Sequence, residues 1–177
     1  MPRLFTGLEL PEAVVGQLAL ARGGIVGARW LEPDDYHITL RFIGDIDNYI
    51  ANEIAHTLFN VRRRPFEVSL QGLSSFGGNK PRAVVASIAP CRPLKELQAE
   101  LERLMQRVGL DPEGRKYTPH VTLARVRGVA QTAVADYFAA RGALLAEAFA
   151  ADRFVLYSAR DGSGGGPYVV EAAYPLG

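Results

Sequence analysis

Apolar and polar positions alternate with the two-residue period of a strand over residues 3–10, 36–43 and 66–73. Helical spacing fills the intervals between these runs. Pro11 reads as the first position of a helix reaching about Leu20, and Gly23-Gly24 breaks it. Ile50, Ile54 and Leu58 share one face of a helix predicted over residues 49–59. Leu94, Leu97, Leu101, Leu104 and Val108 form a longer stripe that opens near Pro93 and stops at Gly109. Shorter strands are expected over residues 28–31, 83–88 and 121–126, and a short helix over 132–138. Pro33-Asp34-Asp35 and Gly44-Asp45 read as turns, and Gly72, Gly77, Gly78, Asn79 and Pro81 as a loop. Residues 154–158 and 168–173 suggest a hairpin around the glycine-rich stretch 161–166.

Strands and helices follow one another without a regular β-α-β-α repeat, which favours α+β over a doubly wound sheet. There is an internal echo. Each half of the chain carries a helix of comparable length and one tetrapeptide of the form His-x-Thr-Leu. These are His37-Ile38-Thr39-Leu40 and His120-Val121-Thr122-Leu123, 83 residues apart (120 − 37) in a chain of 177. That separation suggests duplicated lobes within one domain covering residues 1–177.

Composition narrows the function classes. The chain is 48% hydrophobic and 22% charged, as in an ordinary soluble globular protein, and its net charge is only +1. No strong global field draws it to duplex nucleic acid or membrane, so a nucleic-acid contact would need a locally basic cleft. Cys91 is the only cysteine, which excludes an intrachain disulfide and a cysteine metal cluster and fits a reducing cytoplasm. No run approaches the ~18 apolar residues of a transmembrane helix, and the N-terminus lacks a long apolar signal core. A soluble, cytoplasmic protein with no membrane partner is expected.

The paired tetrapeptides carry the chemistry. In a strand, residues i and i+2 share a face, so His37 and Thr39 point one way while Ile38 and Leu40 point into the core. His120 and Thr122 share a face likewise, backed by Val121 and Leu123. Two such strands side by side offer two imidazoles and two hydroxyls around one point. A neutral imidazole can take a proton from an attacking water while a protonated one gives a proton to a leaving alkoxide, as phosphodiester cleavage requires. The threonine hydroxyls can donate to non-bridging phosphate oxygens, where transition-state charge builds. Two histidines are too few ligands for a catalytic zinc site, and no His-Glu-x-x-His spacing is present, so no metal is expected. His56, mid-helix and without a matching threonine, reads as structural.

These motifs belong to longer stretches, Tyr36-His37-Ile38-Thr39-Leu40-Arg41-Phe42-Ile43-Gly44 and Pro119-His120-Val121-Thr122-Leu123-Ala124-Arg125. With the strand-then-proline start Arg3-Leu4-Phe5 … Leu10-Pro11 and the late strand Phe154-Val155-Leu156-Tyr157-Ser158, they resemble the 2H phosphoesterases. More narrowly they resemble the bacterial and archaeal RNA 2′,3′-cyclic phosphodiesterases, first described as 2′-5′ RNA ligases. The resemblance implies a bilobed α+β fold of two pseudo-symmetric lobes. Each lobe would have a mainly antiparallel sheet with helices outside, and the two His-x-Thr strands would line a central cleft. It implies hydrolysis of a terminal 2′,3′-cyclic phosphate to a 2′-phosphate without metal or other cofactor, with a slow reverse 2′-5′ joining. On that pattern His37 would be the proton donor, His120 the proton acceptor, and Thr39 and Thr122 the phosphate ligands. The partner would be RNA with a 2′,3′-cyclic phosphate end, and the enzyme a monomer.

Arg125 matches a position the family uses near the phosphate or its sugar, yet an odd offset from His120 points it to the opposite face unless a bulge near Ala124 redirects it. Arg41 has the right parity, but a solvated strand-end charge is the favoured reading. Arg62-Arg63-Arg64, Lys80, Arg82, Arg115 and Lys116 could follow an RNA backbone. Phe5, Trp30, Phe76 and Tyr117 are candidates to stack on a base, Tyr117 foremost because it precedes the second motif. The glycine-rich stretch near the C-terminus lacks the Gly-Lys-Ser/Thr ending of a phosphate-binding P-loop. Two other functions stay open: hydrolysis of a small cyclic phosphate such as a nucleotide or ADP-ribose derivative, and a non-catalytic RNA-end binding module.

Overall fold

Long-range antiparallel pairing, rather than local helix packing, organises the computed structural model, which describes residues 3–141, 148–159 and 167–177. In chain order the strands and helices are β1 (Arg3–Glu9), α1 (Glu12–Ala19), β2 (Arg29–Trp30), β3 (His37–Asp45), α2 (Asn48–Thr57), β4 (Phe66–Val68) and β5 (Leu70–Phe76). There follow β6 (Ala83–Ile88), α3 (Arg92–Arg107), β7 (His120–Arg125), α4 (Gln131–Arg141), β8 (Phe149–Ala151), β9 (Arg153–Ala159) and β10 (Tyr168–Pro175). The main sheet runs β10-β9-β1-β3-β7-β6-β5 with β2 on β7, and β4 pairs β8 separately. Every pairing is antiparallel, so the fold is α+β as expected.

The sheet has a seam. β3 and β7 meet through one residue pair, Ile38 with Val121. On one side lie β10, β9, β1 and β3; on the other, β7, β6, β5 and β2. The two sides are halves of one continuous sheet, where separate sheets were expected. They are not the two halves of the chain either. The C-terminal hairpin β9–β10 returns to the free edge of β1, with Arg3 beside Ala159 and Gly7 beside Val155. The ends of the chain thus build the half that carries His37.

Helices cover the face opposite the histidines. The amphipathic stripe of α3 buries Leu94, Leu97, Leu101, Leu104 and Met105 in the cluster that holds Leu4, Leu8, Ile38, Leu40, Val121 and Leu123. α4 covers the other half through Val134 and Tyr137, packed with Val84, Ala124 and Val126. α2 starts on Asp47, whose Oδ1 accepts the Ile50 N–H at 2.9 Å, a standard N-cap. The helix predicted to 59 gives way after Thr57 to a 3₁₀ turn, Leu58–Asn60. The run 66–73, predicted as one strand, splits at Ser69, whose carbonyl accepts from Ala89 N–H while β4 turns to β8 and β5 to β6. Alternation alone cannot report a change of partner. The stretch 161–166 lies outside the described residues.

Candidate functional site

The register of the seam sets the site. With Ile38 opposite Val121 in antiparallel pairing, His37 comes opposite Thr122 and Thr39 opposite His120, all on one face. The two imidazoles are held alike. His37 Nδ1–H donates to the Asp35 carbonyl at 2.8 Å, and His120 Nδ1–H donates to the Thr118 carbonyl at 2.8 Å. A carbonyl can only accept, so each Nδ1 keeps its proton and each neutral ring leaves Nε2 as its basic nitrogen. His37 Nε2 lies 2.9 Å from Thr39 Oγ1.

Strict alternation would turn residue i+5 away from this face. Both strands break it with a one-residue bulge at the same offset. In β7, Val85 faces Thr122 and Val84 faces Ala124, which leaves Leu123 unpaired. Leu123 and Ala124 are both buried, and Arg125 returns to the His120 face. In β3, Gly7 faces Thr39 and Thr6 faces Arg41, which leaves Leu40 unpaired. There Leu40 and Arg41 are both buried and Phe42 returns to the open face, 50% exposed. Buried Thr6 repairs the interrupted ladder, its Oγ1 accepting from Arg41 N–H at 3.1 Å and donating to Arg41 C=O at 3.3 Å.

The bulges settle the two arginines. Arg125 is exposed on the histidine face and has no carboxylate partner among the described residues. Arg41 is neither solvated nor in the cleft. It is 7% exposed, ion-paired with Glu102 of α3, and donates to the Asp111 carbonyl at 2.6 Å. Sequence reading missed Arg29, whose exposed position in β2 pairs directly with Arg125. The signal available was the short strand itself, whose partner could not be read from pattern.

Burial is the main reason both imidazoles hold protons weakly. The Arg125 charge lowers both further, and His120 also lowers His37; each carbonyl bond works the other way. His37 comes down to about 4, and His120 lies below its usual value. Aromatic rings supply much of the burial. Phe5, Tyr168 and Tyr157 stand 4.9, 5.1 and 5.4 Å from His37, and Phe76 stands 4.7 Å from His120. Gly7 makes room for this packing, because a Cβ there would lie 2.8 Å from the Ile38 carbonyl oxygen and 3.1 Å from the Tyr157 ring.

Other predicted residues fall elsewhere. Tyr117 donates its hydroxyl to the Thr39 carbonyl at 2.8 Å and packs against the core, so it ties the second-motif loop to β3 instead of offering an open ring. Phe5 is buried behind His37, Phe76 backs His120, and Trp30 packs on Tyr137 at 5.6 Å. Arg63 pairs with Glu96 and Glu100 of α3, and Arg62 donates to the Phe59 and Val61 carbonyls, which puts that run on the helix side. Lys80, Arg82, Arg115 and Lys116 are exposed. His56 Nδ1 bonds the Asn52 carbonyl at 2.9 Å within α2. Among the described residues no three His, Cys, Asp or Glu side chains converge as metal ligands, and no helix is long and apolar enough to cross a membrane.

An antiparallel α+β fold with two His-x-Thr strands meeting at a seam defines the 2H phosphoesterase class. Within it, the chain belongs to the 2′-5′ RNA ligase superfamily, whose family model matches residues 28–163. It is 36% identical over 121 residues to the RNA 2′,3′-cyclic phosphodiesterase of Aeropyrum pernix, covering 65% of this chain and 69% of the relative. The Bacillus subtilis protein of that name is 28% identical over 130 residues, 70% of this chain and 71% of its own. The fold matches Escherichia coli LigT complexed with 3′-AMP with a TM-score of 0.75 over 99% of both chains, at 22% identity. A Thermus thermophilus protein matches with a TM-score of 0.79 over 98% of this chain and 97% of that one, also at 22% identity.

Proposed function

We propose that the protein is an RNA 2′,3′-cyclic phosphodiesterase that opens a terminal cyclic phosphate to a 2′-phosphomonoester. The observation that carries this reading is the matched anchoring of His37 and His120, each with Nδ1–H on a backbone carbonyl and Nε2 as its basic nitrogen, that of His37 beside the Thr39 hydroxyl. Relatives named for that reaction support it. His120 Nε2 takes a proton from water as its oxygen attacks phosphorus. His37 Nε2 gives a proton to the 3′ oxygen as the P–O3′ bond breaks, and the phosphate stays on the 2′ oxygen. Thr39 and Thr122 donate to the non-bridging oxygens, and Arg125 balances their charge.

The low proton affinity of His37 gives the cycle an order. At neutral pH the empty site holds His37 uncharged. A phosphodiester anion seated at Arg125 offsets the cation that lowers both imidazoles and favours the protonated ring. The donor's proton therefore arrives with the substrate. The two halves of the sheet act as pseudo-symmetric lobes of a monomer, with the seam as the floor of the cleft. Arg29 beside Arg125, with Arg115 and Lys116 in the loop before β7, favours an RNA chain over a small cyclic phosphate.

The test is product identity. A short RNA ending in a 2′,3′-cyclic phosphate should give only the 2′-phosphate by phosphorus NMR, at a rate unchanged by EDTA. A 3′-phosphate product, or activity abolished by EDTA, would overturn the reading. Faster turnover of a cyclic mononucleotide than of the RNA would move the substrate to the small-molecule class.

A further inference from the structure

The shortest strand of the sheet sets two cations side by side. In β2, Arg29 lies directly opposite Arg125 of β7, and Trp30 lies opposite Ala124. Trp30 and Ala124 join the cluster under α4, with Trp30 5.6 Å from the Tyr137 ring. Alternation then turns Arg29 to the other face, the one that carries Arg125 and both histidines. Both arginines are exposed, and neither meets a carboxylate among the described residues. Like charges directly opposite on one face, with Cβ atoms about 5 Å apart, repel and cost stability. The ladder does not require them, since its next bond, Leu31 N–H to the Leu123 carbonyl at 2.9 Å, is backbone alone. β6 fills one edge of β7 from His120 to Arg125, so β2 and β3 share the other edge. Arg29 therefore stands at the end of the seam, beyond the Ile38–Val121 pair and one strand away from that of His120.

We propose that Arg29 and Arg125 form a two-phosphate clamp, in which Arg125 takes the terminal cyclic phosphate and Arg29 the phosphodiester on the 5′ side of the same nucleotide. The inference rests on the reading of the cleft as the seat of an RNA cyclic-phosphate end. Two guanidinium groups that repel each other spread apart, and an anion brought to each one offsets the repulsion. Neighbouring phosphates of one strand supply such a pair of charges, a nucleotide apart. Arg125 is the inner of the two cations, since its charge reaches both imidazoles. Arg29, at the end of the seam, meets the chain where it leaves the cleft. A cyclic mononucleotide with a free 5′ hydroxyl lacks the second phosphate. Arg29 is thus the residue that makes the site prefer the end of a chain.

The probes are two dinucleotides in product form, each ending in a 2′-phosphate. One is joined by an ordinary phosphodiester and the other by an uncharged methylphosphonate. Their affinities for wild type, Arg29→Gln and Arg125→Ala are measured at low salt, with thermal unfolding of each protein alongside. Wild type is expected to favour the charged linkage about tenfold, the scale of one charge-assisted contact. Arg29→Gln should bind both probes alike, whereas Arg125→Ala should weaken both and keep the preference. Arg29→Gln should also melt no lower than wild type, because it removes a like-charge pair. A wild type indifferent to the linkage would overturn the proposal, as would a preference that survives in Arg29→Gln or vanishes in Arg125→Ala. So would a clear loss of thermal stability in Arg29→Gln, or a wild type that binds neither probe at millimolar concentration. The preference lost in Arg29→Gln alone, in a protein that cleaves no cyclic phosphate, would instead remove the reaction and leave the clamp standing.

Discussion

β3 and β7 follow one plan and differ at two corresponding positions after the threonine. Each carries a His-x-Thr pair, each His bonds the carbonyl two residues before it, and each strand bulges after the threonine. Aromatic rings from other strands of the sheet back both imidazoles. After the bulge, β7 presents Arg125 and β3 presents Phe42. The residue before each also differs, buried Ala124 on one side and buried Arg41 on the other. The shared features are those that two proton-transfer groups, as proposed, would both need. On the proposed reading the difference gives β7 the cation that a phosphate calls for, and it leaves an open aromatic ring on the opposite strand.

The strongest way to break this comparison is to remove each shared part in turn. His37→Ala and His120→Ala should each lower kcat on cyclic-phosphate RNA by about 10²–10⁴, the usual worth of a general acid or base. Near-normal turnover in one of them would mean that the two strands share a shape and not a task. Next comes the position at which they differ. Arg125→Ala should lower kcat/KM by about 10²-fold, the scale of one lost transition-state contact, while Phe42→Ala stays within about tenfold. Equal losses would erase the asymmetry.

The second difference is structural. Arg41 is buried and Glu102 partly so, and leaving a buried charge without its partner typically costs about 3–5 kcal/mol. Glu102→Ala should therefore lower the unfolding free energy by about that amount, measured in denaturant, with kcat of the folded fraction nearly unchanged. The smallest expected effect is a pH dependence of stability. His37 binds its proton more weakly when folded (about 4) than when unfolded (about 6.5), so the unfolded chain takes up the proton first. The contribution is fully present above pH 6.5 and is lost as pH falls towards 4. His37→Gln should flatten that part of the curve in thermal melts taken from pH 7.5 to 4.5, and an unchanged slope would count against the low proton affinity.

Much of this was legible in the sequence because it depends on period. Ile38, Leu40, Val121 and Leu123 had to face a core, which put both histidines and both threonines on the other side. The recurrence of the tetrapeptide pointed to a shared place. What stayed hidden depends on pairing between distant strands. The bulges at Leu40 and Leu123 reverse the parity of the following residue, so Arg41, with the right parity for the cleft, is buried, and Arg125, with the wrong one, is in it. Only the condition was readable, that a bend near Ala124 was required. Tyr117 looked like an open ring because its hydroxyl's partner, the Thr39 carbonyl, lies on another strand. Arg29 and Tyr168 gave no local signal at all, since each reaches the site through a neighbour far away in the chain.

The most direct test of two imidazoles working in opposite protonation states is the pH dependence of kcat/KM on cyclic-phosphate RNA. One proton shared between two weakly basic rings predicts a bell with its maximum below pH 6.5 and an alkaline limb falling tenfold per unit. Saturation with the anionic substrate should carry the alkaline limb of kcat to higher pH. A flat profile from pH 5 to 9 would contradict the two-histidine account.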